Sequence, residues 1–348
     1  MRGIKKLAND IIASPYFSFG VTVLLFAVLY GTGVAMYKGF LRPQVFFNLF
    51  IDNAALIIVT VGITFTLIIV GIDLSVGAVL ALSCMVLAWL LANTAVPVWA
   101  AVAVVLMMGI VIGAAQGYII TKFDLQPFII TLAGMFFCRG MTAVISRDTI
   151  QITNETFTAI ASYRIPIGDL GFISVGAVLA LIVLAIAAVV LGFTKFGRAV
   201  FAIGGSESSA ALMGLPVFRT KVIVYTISGF CSALGGVAYA LIMLTGYNLH
   251  GLGMEMDAIA SSVIGGTLLT GGVAFIPGAL FGVLIQGVIL TFISFQGTLS
   301  AWWTKIVVGA LLCVFIVMQA LITEQKARLS KKSSMSEPPE KAKPGLAG

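Results

Sequence analysis

Apolar runs of about the length needed to cross a bilayer as a helix alternate with brief punctuation by Gly, Pro, Asn or charge along most of the chain. The pattern predicts ten membrane helices, near 17–37, 46–70, 75–93, 98–120, 128–146, 172–193, 222–245, 256–270, 274–295 and 302–322. The eighth, within "DAIASSVIGGTLLTGG", is short and Gly-rich, which suits a broken or re-entrant helix buried by its neighbours. Lys5 and Lys6 precede the first run as in a secretory signal, but no small-x-small cleavage site follows, so a retained first helix is expected. The expected domain organisation is a cytoplasmic N-terminus (1–16), a polytopic permease-like domain (17–322) and a Pro/Ser/Lys-rich disordered cytoplasmic tail (323–348).

Composition agrees: 60% of the 348 residues are hydrophobic and only 9% charged, against about 25% charged in soluble domains. An N-terminus inside places 1–16, 71–74, 121–127, 194–221 and 323–348 in the cytoplasm. Fourteen of the 20 Lys and Arg then lie inside, and four (Lys38, Arg42, Arg147, Arg164) outside, with Arg139 and Lys305 within or beside spans. This is the positive-inside bias, and both termini are expected in the cytoplasm. It accounts for the net charge of +7 without a nucleic-acid partner, for which a basic face on a soluble module would be needed. Trp302 and Trp303 suit an interfacial aromatic belt.

Enzyme chemistry finds no foothold. Cys84, Cys138, Cys231 and Cys313 lie singly in apolar runs as core filler, and His250 is the only histidine, so no metal site can be assembled. No nucleophile, base and orienting residue share a spacing. A phosphate-binding P-loop needs Gly before Lys, and no lysine here follows a glycine. Any ATP hydrolysis that drives this chain must occur on a partner.

The polar exceptions are informative. Asp73 sits in "LIIVGIDLSVGAVLAL", where an isolated charge costs at least ~2.5–3.5 kcal/mol, so it must lie at an interface, face protein or act. Arg139 lies about eleven residues, roughly 16 Å, into the fifth run and needs a partner, for which Glu255 and Asp257 are the natural choices. Asn53, Thr64, Thr66, Gln116 and Thr131 could line a path or glue helices together. "GIDLSVGAVLAL" and "EMDAIASSVIGG" each open a run with Asp and small residues, five spans apart. An odd offset reverses direction across the membrane, so an inverted five-helix repeat is expected.

The longest ordered cytoplasmic loop is "TKFGRAVFAIGGSESSAALMGLPVFRTKV" (194–222). Ser206 is a good N-cap, Glu207 suits the positive end of a short helix, Ala210 to Met213 continue it, and Gly214 with Pro216 ends it. Its segment "AIGGSESSAALMGL" resembles the coupling-helix segment of bacterial sugar permeases of the ABC-importer class, the branch serving ribose, xylose and galactofuranose. "GIDLSVG", "PFIITLAGMFFCRG", "DAIASSVIGGTLLTGG" and "GTLSAWWTKIVVGALL" resemble the same branch, in order over roughly 45–322; the third and last of these look closest to a galactofuranose-type permease, while ribose-type permeases share the first and the coupling segment.

The resemblance implies an inner-membrane subunit that translocates a monosaccharide. Its implied partners are a second permease subunit, homologous or identical, cytoplasmic ABC ATPase subunits that hold ATP and Mg, and a periplasmic sugar-binding protein. No cofactor would be bound by this chain. Gly204, Gly205, Ser206, Glu207, Ala210, Ala211 and Gly214 would belong to the helix that docks on the ATPase. Ser206 stands where many relatives carry Asn, an equally good N-cap. Candidates for the pathway or for helix breaks are Asp73, Ser75, Thr131, Arg139, Glu255 and Asp257. Asp73 with Ser75 could cap the third helix near the cytoplasmic interface, with Gly71 and Gly77 allowing a tight reversal. It could instead bind a sugar hydroxyl, or serve with Asp257 as a proton site of an ion-coupled transporter.

Overall fold

The computed structural model describes residues 17–297 and 302–318. The expectations for the cytoplasmic N-terminus and tail therefore fall outside the described residues. Helix α1 (Phe17–Met36) leads through a 3-10 turn (Lys38–Leu41) to α2 (Pro43–Asp52) and α3 (Ala54–Ile68), which meet at 53° across Asn53. Then come α4 (Val76–Asn93), α5 (Val98–Lys122), α6 (Pro127–Ile145), the short α7 (Glu155–Ser162) and α8 (Val175–Phe193). Next are α9 (Lys195–Gly205), α10 (Glu207–Leu212), α11 (Val217–Met243), α12 (Met254–Ile264), α13 (Ile276–Gln296) and α14 (Trp302–Met318).

Seven of these helices are long and apolar enough to span a bilayer, or eight if the bent α2–α3 pair counts as one span. Ten full-length spans are thus not found among the described residues. The expected eighth is the 11-residue α12, ended by the glycines that follow it, and the expected tenth is the shorter apolar α14. Helix is not the whole architecture either. Two antiparallel ribbons pair β1 (Ile150–Gln151) with β4 (Thr245–Gly246), and β2 (Arg164–Pro166) with β3 (Phe172–Ser174).

The core is built on α3, all 15 of whose residues are buried, with α8, α11, α12 and α13 packed against it. A helix apolar on every side must be buried all round or face lipid, and both occur here. Large side chains on the outer faces of α5, α6 and α8, such as Val111, Phe136 and Ile186, are exposed, as lipid-facing positions would be. Cys84, Cys138 and Cys231 are buried as expected, whereas Cys313 on α14 is exposed.

Glycine lets the central helices approach. On α5, Gly109, Gly113 and Gly117 lie every fourth residue and pack on Tyr225, Gly229 and Ala233 of α11. A Cβ at Gly109 would lie 2.5 Å from the Gly229 carbonyl oxygen, so these backbones touch directly. Helices α3 and α11 run antiparallel: Gly71 meets Tyr225, Gly62 meets Ser228 and Cys231, and Val59 meets Gly235. The chain breaks that follow α3 and α11 therefore begin at opposite ends of one packed pair, and the second runs back along α4 to meet Gly77 at Gly251.

Candidate functional site

The first break, 69–75, follows α3. Gly71 N–H donates to Thr66 O and Val70 N–H to Leu67 O, the double bond of a Schellman stop, with Val70 left-handed at φ 60°. The reversal is thus made by a β-branched residue, correcting the expectation that Gly71 and Gly77 provide it. Neither glycine has positive φ. They serve close approach instead: a Cβ at Gly71 would overlap the Tyr225 hydroxyl, and one at Gly77 would lie 2.6 Å from Gly251 O and run into the Glu255 carboxylate.

Asp73 is buried inside the bundle, not at an interface. Its Oδ1 accepts from Ser75 N–H (2.9 Å) and Ser75 Oγ (2.6 Å), and its Oδ2 accepts from Ser228 Oγ on α11 (2.6 Å). Ser75 precedes α4 but makes no side-chain cap, because its hydroxyl is spent on Asp73. Gln116 Oε1 lies 3.1 Å from that same oxygen, while its Nε2 has no partner. One hydroxyl proton cannot serve two acceptors, so turning the Gln116 amide makes a consistent chain from Gln116 to Ser75 to Asp73. The Thr131 hydroxyl of α6 lies 3.0 Å from Ile72 O and 2.9 Å from Pro127 O of its own helix, so its one proton is shared between the segment and α6.

The second break, 244–253, follows α11, whose end is also set by a non-Gly left-handed residue, Leu244 at φ 52°. Arg139 Nη1 donates to Asn248 O (3.0 Å) and His250 O (2.6 Å). The expected ion pair with Glu255 or Asp257 does not form. Two carbonyls left bare by the break take the guanidinium, and Asp257 pairs with Lys305 of α14. Glu255 stays buried against Gly77 with Oε2 unpartnered. His250 contacts Thr245 (3.2 Å), Tyr239 and Tyr247. Burial holds its imidazole below the ordinary value, opposed by a backbone hydrogen bond with Thr245 and reinforced by nearby Arg139. Helix α6 touches both breaks, through Thr131 and Arg139, eight residues or about 12 Å apart.

The 194–216 segment holds two helices where one was expected. Thr194 caps α9, whose Gly197, Ala199, Val200, Ile203 and Gly204 are buried. Ser206 caps α10, accepting from Ser209 N–H, and Lys221 of α11 grips Glu207 at 2.6 and 2.7 Å. Gly214, at φ 77°, sits in a Schellman stop with Gly214 N–H to Ala211 O and Leu215 N–H to Ala210 O. Ala210 is buried, while Ala211, Met213 and Leu212, the last 90% exposed, project outward.

Gly204 and Gly205 abut different partners from α10. A Cβ at Gly204 would overlap Ile68 O and lie 2.7 Å from Gly272 N, and Gly272 N–H donates to Ile68 O at 2.9 Å. The end of α9, the end of α3 and the 268–273 turn are thereby backbone-locked, two residues before Val70. Sequence reasoning missed this knot and the Gly109/Gly113/Gly117 stripe. The four-residue glycine spacing was a legible sign of the stripe, but nothing local announces the knot.

Two helices packed antiparallel, each followed by a chain break, are joined by short backbone contacts to the α9–α10 pair. Among the described residues no group of His, Cys, Asp and Glu could hold a metal. Residues 45–316 match the family described as the permease component of the branched-chain amino acid transport system, and the chain belongs to that family. It is 42% identical to the inner membrane ABC transporter permease protein YjfF of Escherichia coli K12 over 87% of this chain and 92% of the relative. It is 39% identical to the fructose import permease protein FruG of Bifidobacterium longum (86% and 89% covered), and 32% identical to the D-allose permease AlsC of E. coli K12 (82% and 88%). No solved structure matches. The chain is a multi-pass inner-membrane permease subunit, not an enzyme.

Proposed function

We propose that this chain is the translocating subunit of an ATP-driven importer for a monosaccharide, of galactofuranose-like or ribose-like type. The observation that carries the sugar is the set of relatives named for fructose, ribose and allose, each similar over most or all of the same region. The proposed partners are a second permease subunit, ABC ATPase subunits and a periplasmic binding protein. The ion-coupled alternative draws no support, since Lys305 occupies Asp257 and serines satisfy Asp73.

The proposed pathway follows the polar groups at the two breaks: Asp73, Ser75 and Thr131 at one level, Arg139 and Glu255 at the other. Antiparallel α3 and α11, each broken after its end, support the inverted-repeat reading, in which two halves rock about the site. Helix α10 is the proposed ATPase contact. Force on Ala211 and Leu212 would pass through α9 to Gly204, which is locked to Ile68, and so to the Asp73 segment. The test is ATPase activity and sugar uptake of the reconstituted complex carrying Gly214→Val or Ala211→Trp. Both variants are expected to insert normally, to lose stimulation by loaded binding protein and to lose uptake. Wild-type stimulation with normal uptake in both would remove α10 from the mechanism.

A further inference from the structure

Away from both breaks, a cleft of about 270 Å³ lies where the α2–α3 elbow meets β2, β3 and the end of α11. Asp52, the last residue of α2, and Arg164 of β2 both line it, and among the described residues neither forms an ion pair. Both side chains are solvent-exposed, so each keeps its hydrogen-bonding capacity for a ligand. Arg164 lies over the Phe172 ring, 4.4 Å from its centroid. Asn48, one turn before Asp52, accepts from Gln44 Nε2 at 2.8 Å through its oxygen, which leaves its own NH₂ unengaged. Ser174 accepts from Ala177 N–H at 3.3 Å and keeps its hydroxyl proton to give.

We infer that this cleft is a monosaccharide-binding site distinct from the central breaks, an inference that rests on the sugar-permease reading. Each sugar hydroxyl both donates and accepts. Neighbouring hydroxyls can therefore give protons to the Asp52 carboxylate while receiving them from Arg164, Asn48 and Ser174. The volume, about 270 Å³, lies just below the usual range of ligand pockets, roughly 300–1,000 Å³, and suits one sugar ring rather than a chain. A zwitterionic amino acid would engage Asp52 and Arg164 but leave the Asn48 and Ser174 donors unused.

The test is saturation-transfer NMR on the full chain in lipid nanodiscs with D-ribose, D-fructose, D-allose and D-galactose, and with L-leucine as competitor. Wild type, Asp52→Asn, Arg164→Gln and the charge-keeping Arg164→Lys are compared, each first checked for a wild-type melting profile. The expected result is saturable binding of at least one sugar, weakened about tenfold or more in Asp52→Asn and Arg164→Gln, less in Arg164→Lys, and untouched by L-leucine. Absence of saturable sugar binding, equal affinity in all variants, or displacement by L-leucine overturns the inference. Sugar uptake by the assembled complex, measured in parallel, reports separately on the permease reading: uptake retained without cleft binding sinks the cleft alone.

Discussion

Asp73 receives three hydrogen bonds from two serines, which is how a carboxylate comes to lie in an apolar bundle without a basic partner beside it. Only one of those donors, Ser228, comes from another helix. Ser228→Ala should therefore strip Oδ2 and destabilise by about 1–3 kcal/mol, read as a lower thermal midpoint of the purified protein. Ser232→Ala is the comparison, since its hydroxyl donates only to Ser228 O within the same helix, and should cost less than about 1 kcal/mol. Val70 makes the opposite case. A β-branched residue at φ 60° is strained by about 1–3 kcal/mol, so Val70→Gly should raise the thermal midpoint modestly despite the entropy that glycine loses. An unchanged or lower midpoint would show that the Val70 side chain, which lies against Gly271, contributes more than its backbone strain costs.

The α5–α11 crossing shows how elements depend on what is missing from a side chain. At Gly113 a Cβ would overlap the Tyr225 carbonyl oxygen and approach Gly229 Cα to 3.1 Å, both on backbone that cannot step aside. Gly113→Val should force the helices apart and cost about 1–3 kcal/mol or more, seen as reduced yield and a lower melting midpoint. Gly140→Val on α6, where nothing lies within 4 Å, should be nearly silent by the same assay. Comparable losses in both would mean that helix propensity, not backbone contact, sets the glycine requirement. The elements themselves were largely legible beforehand: most apolar runs coincide with helices, and Ser206 and Gly214 mark α10 as their chemistry dictates. Helix α12 fell short of a span because its Gly-rich continuation makes turns, with Gly266, Gly271 and Gly272 at positive φ.

For the molecule as a whole, the basic residues partition so unevenly that α10 should face the cytoplasm and 147–171 the periplasm. An impermeant thiol reagent applied to intact spheroplasts should fail to label Ser208→Cys in a cysteine-free background, and should label it once the membrane is opened. Labelling from outside would reverse the orientation and place the Asp52–Arg164 cleft in the cytoplasm. With α10 on the cytoplasmic side, the exposed Leu212 would be linked through the Gly204–Ile68–Gly272 knot to the Asp73 break.

Hydropathy and charge, summed over windows of twenty residues, determined the membrane class, the approximate spans and the expected orientation. Local capping chemistry determined α10, because its signals lie within a few residues of one another. Pairings over long separations were beyond such reading. Asp73 with Ser228 is 155 residues apart, and Arg139 meets carbonyls about 110 residues away. In an apolar chain nearly every helix face is hydrophobic, so no period marks which face meets which neighbour. Arg139 illustrates the limit: its need for acceptors was legible, but opposite charge suggested Glu255 and Asp257. Only the tertiary structure decided that the α11 break would supply bare carbonyls and Lys305 would take Asp257, because backbone groups freed by a broken helix must also be satisfied inside the bundle.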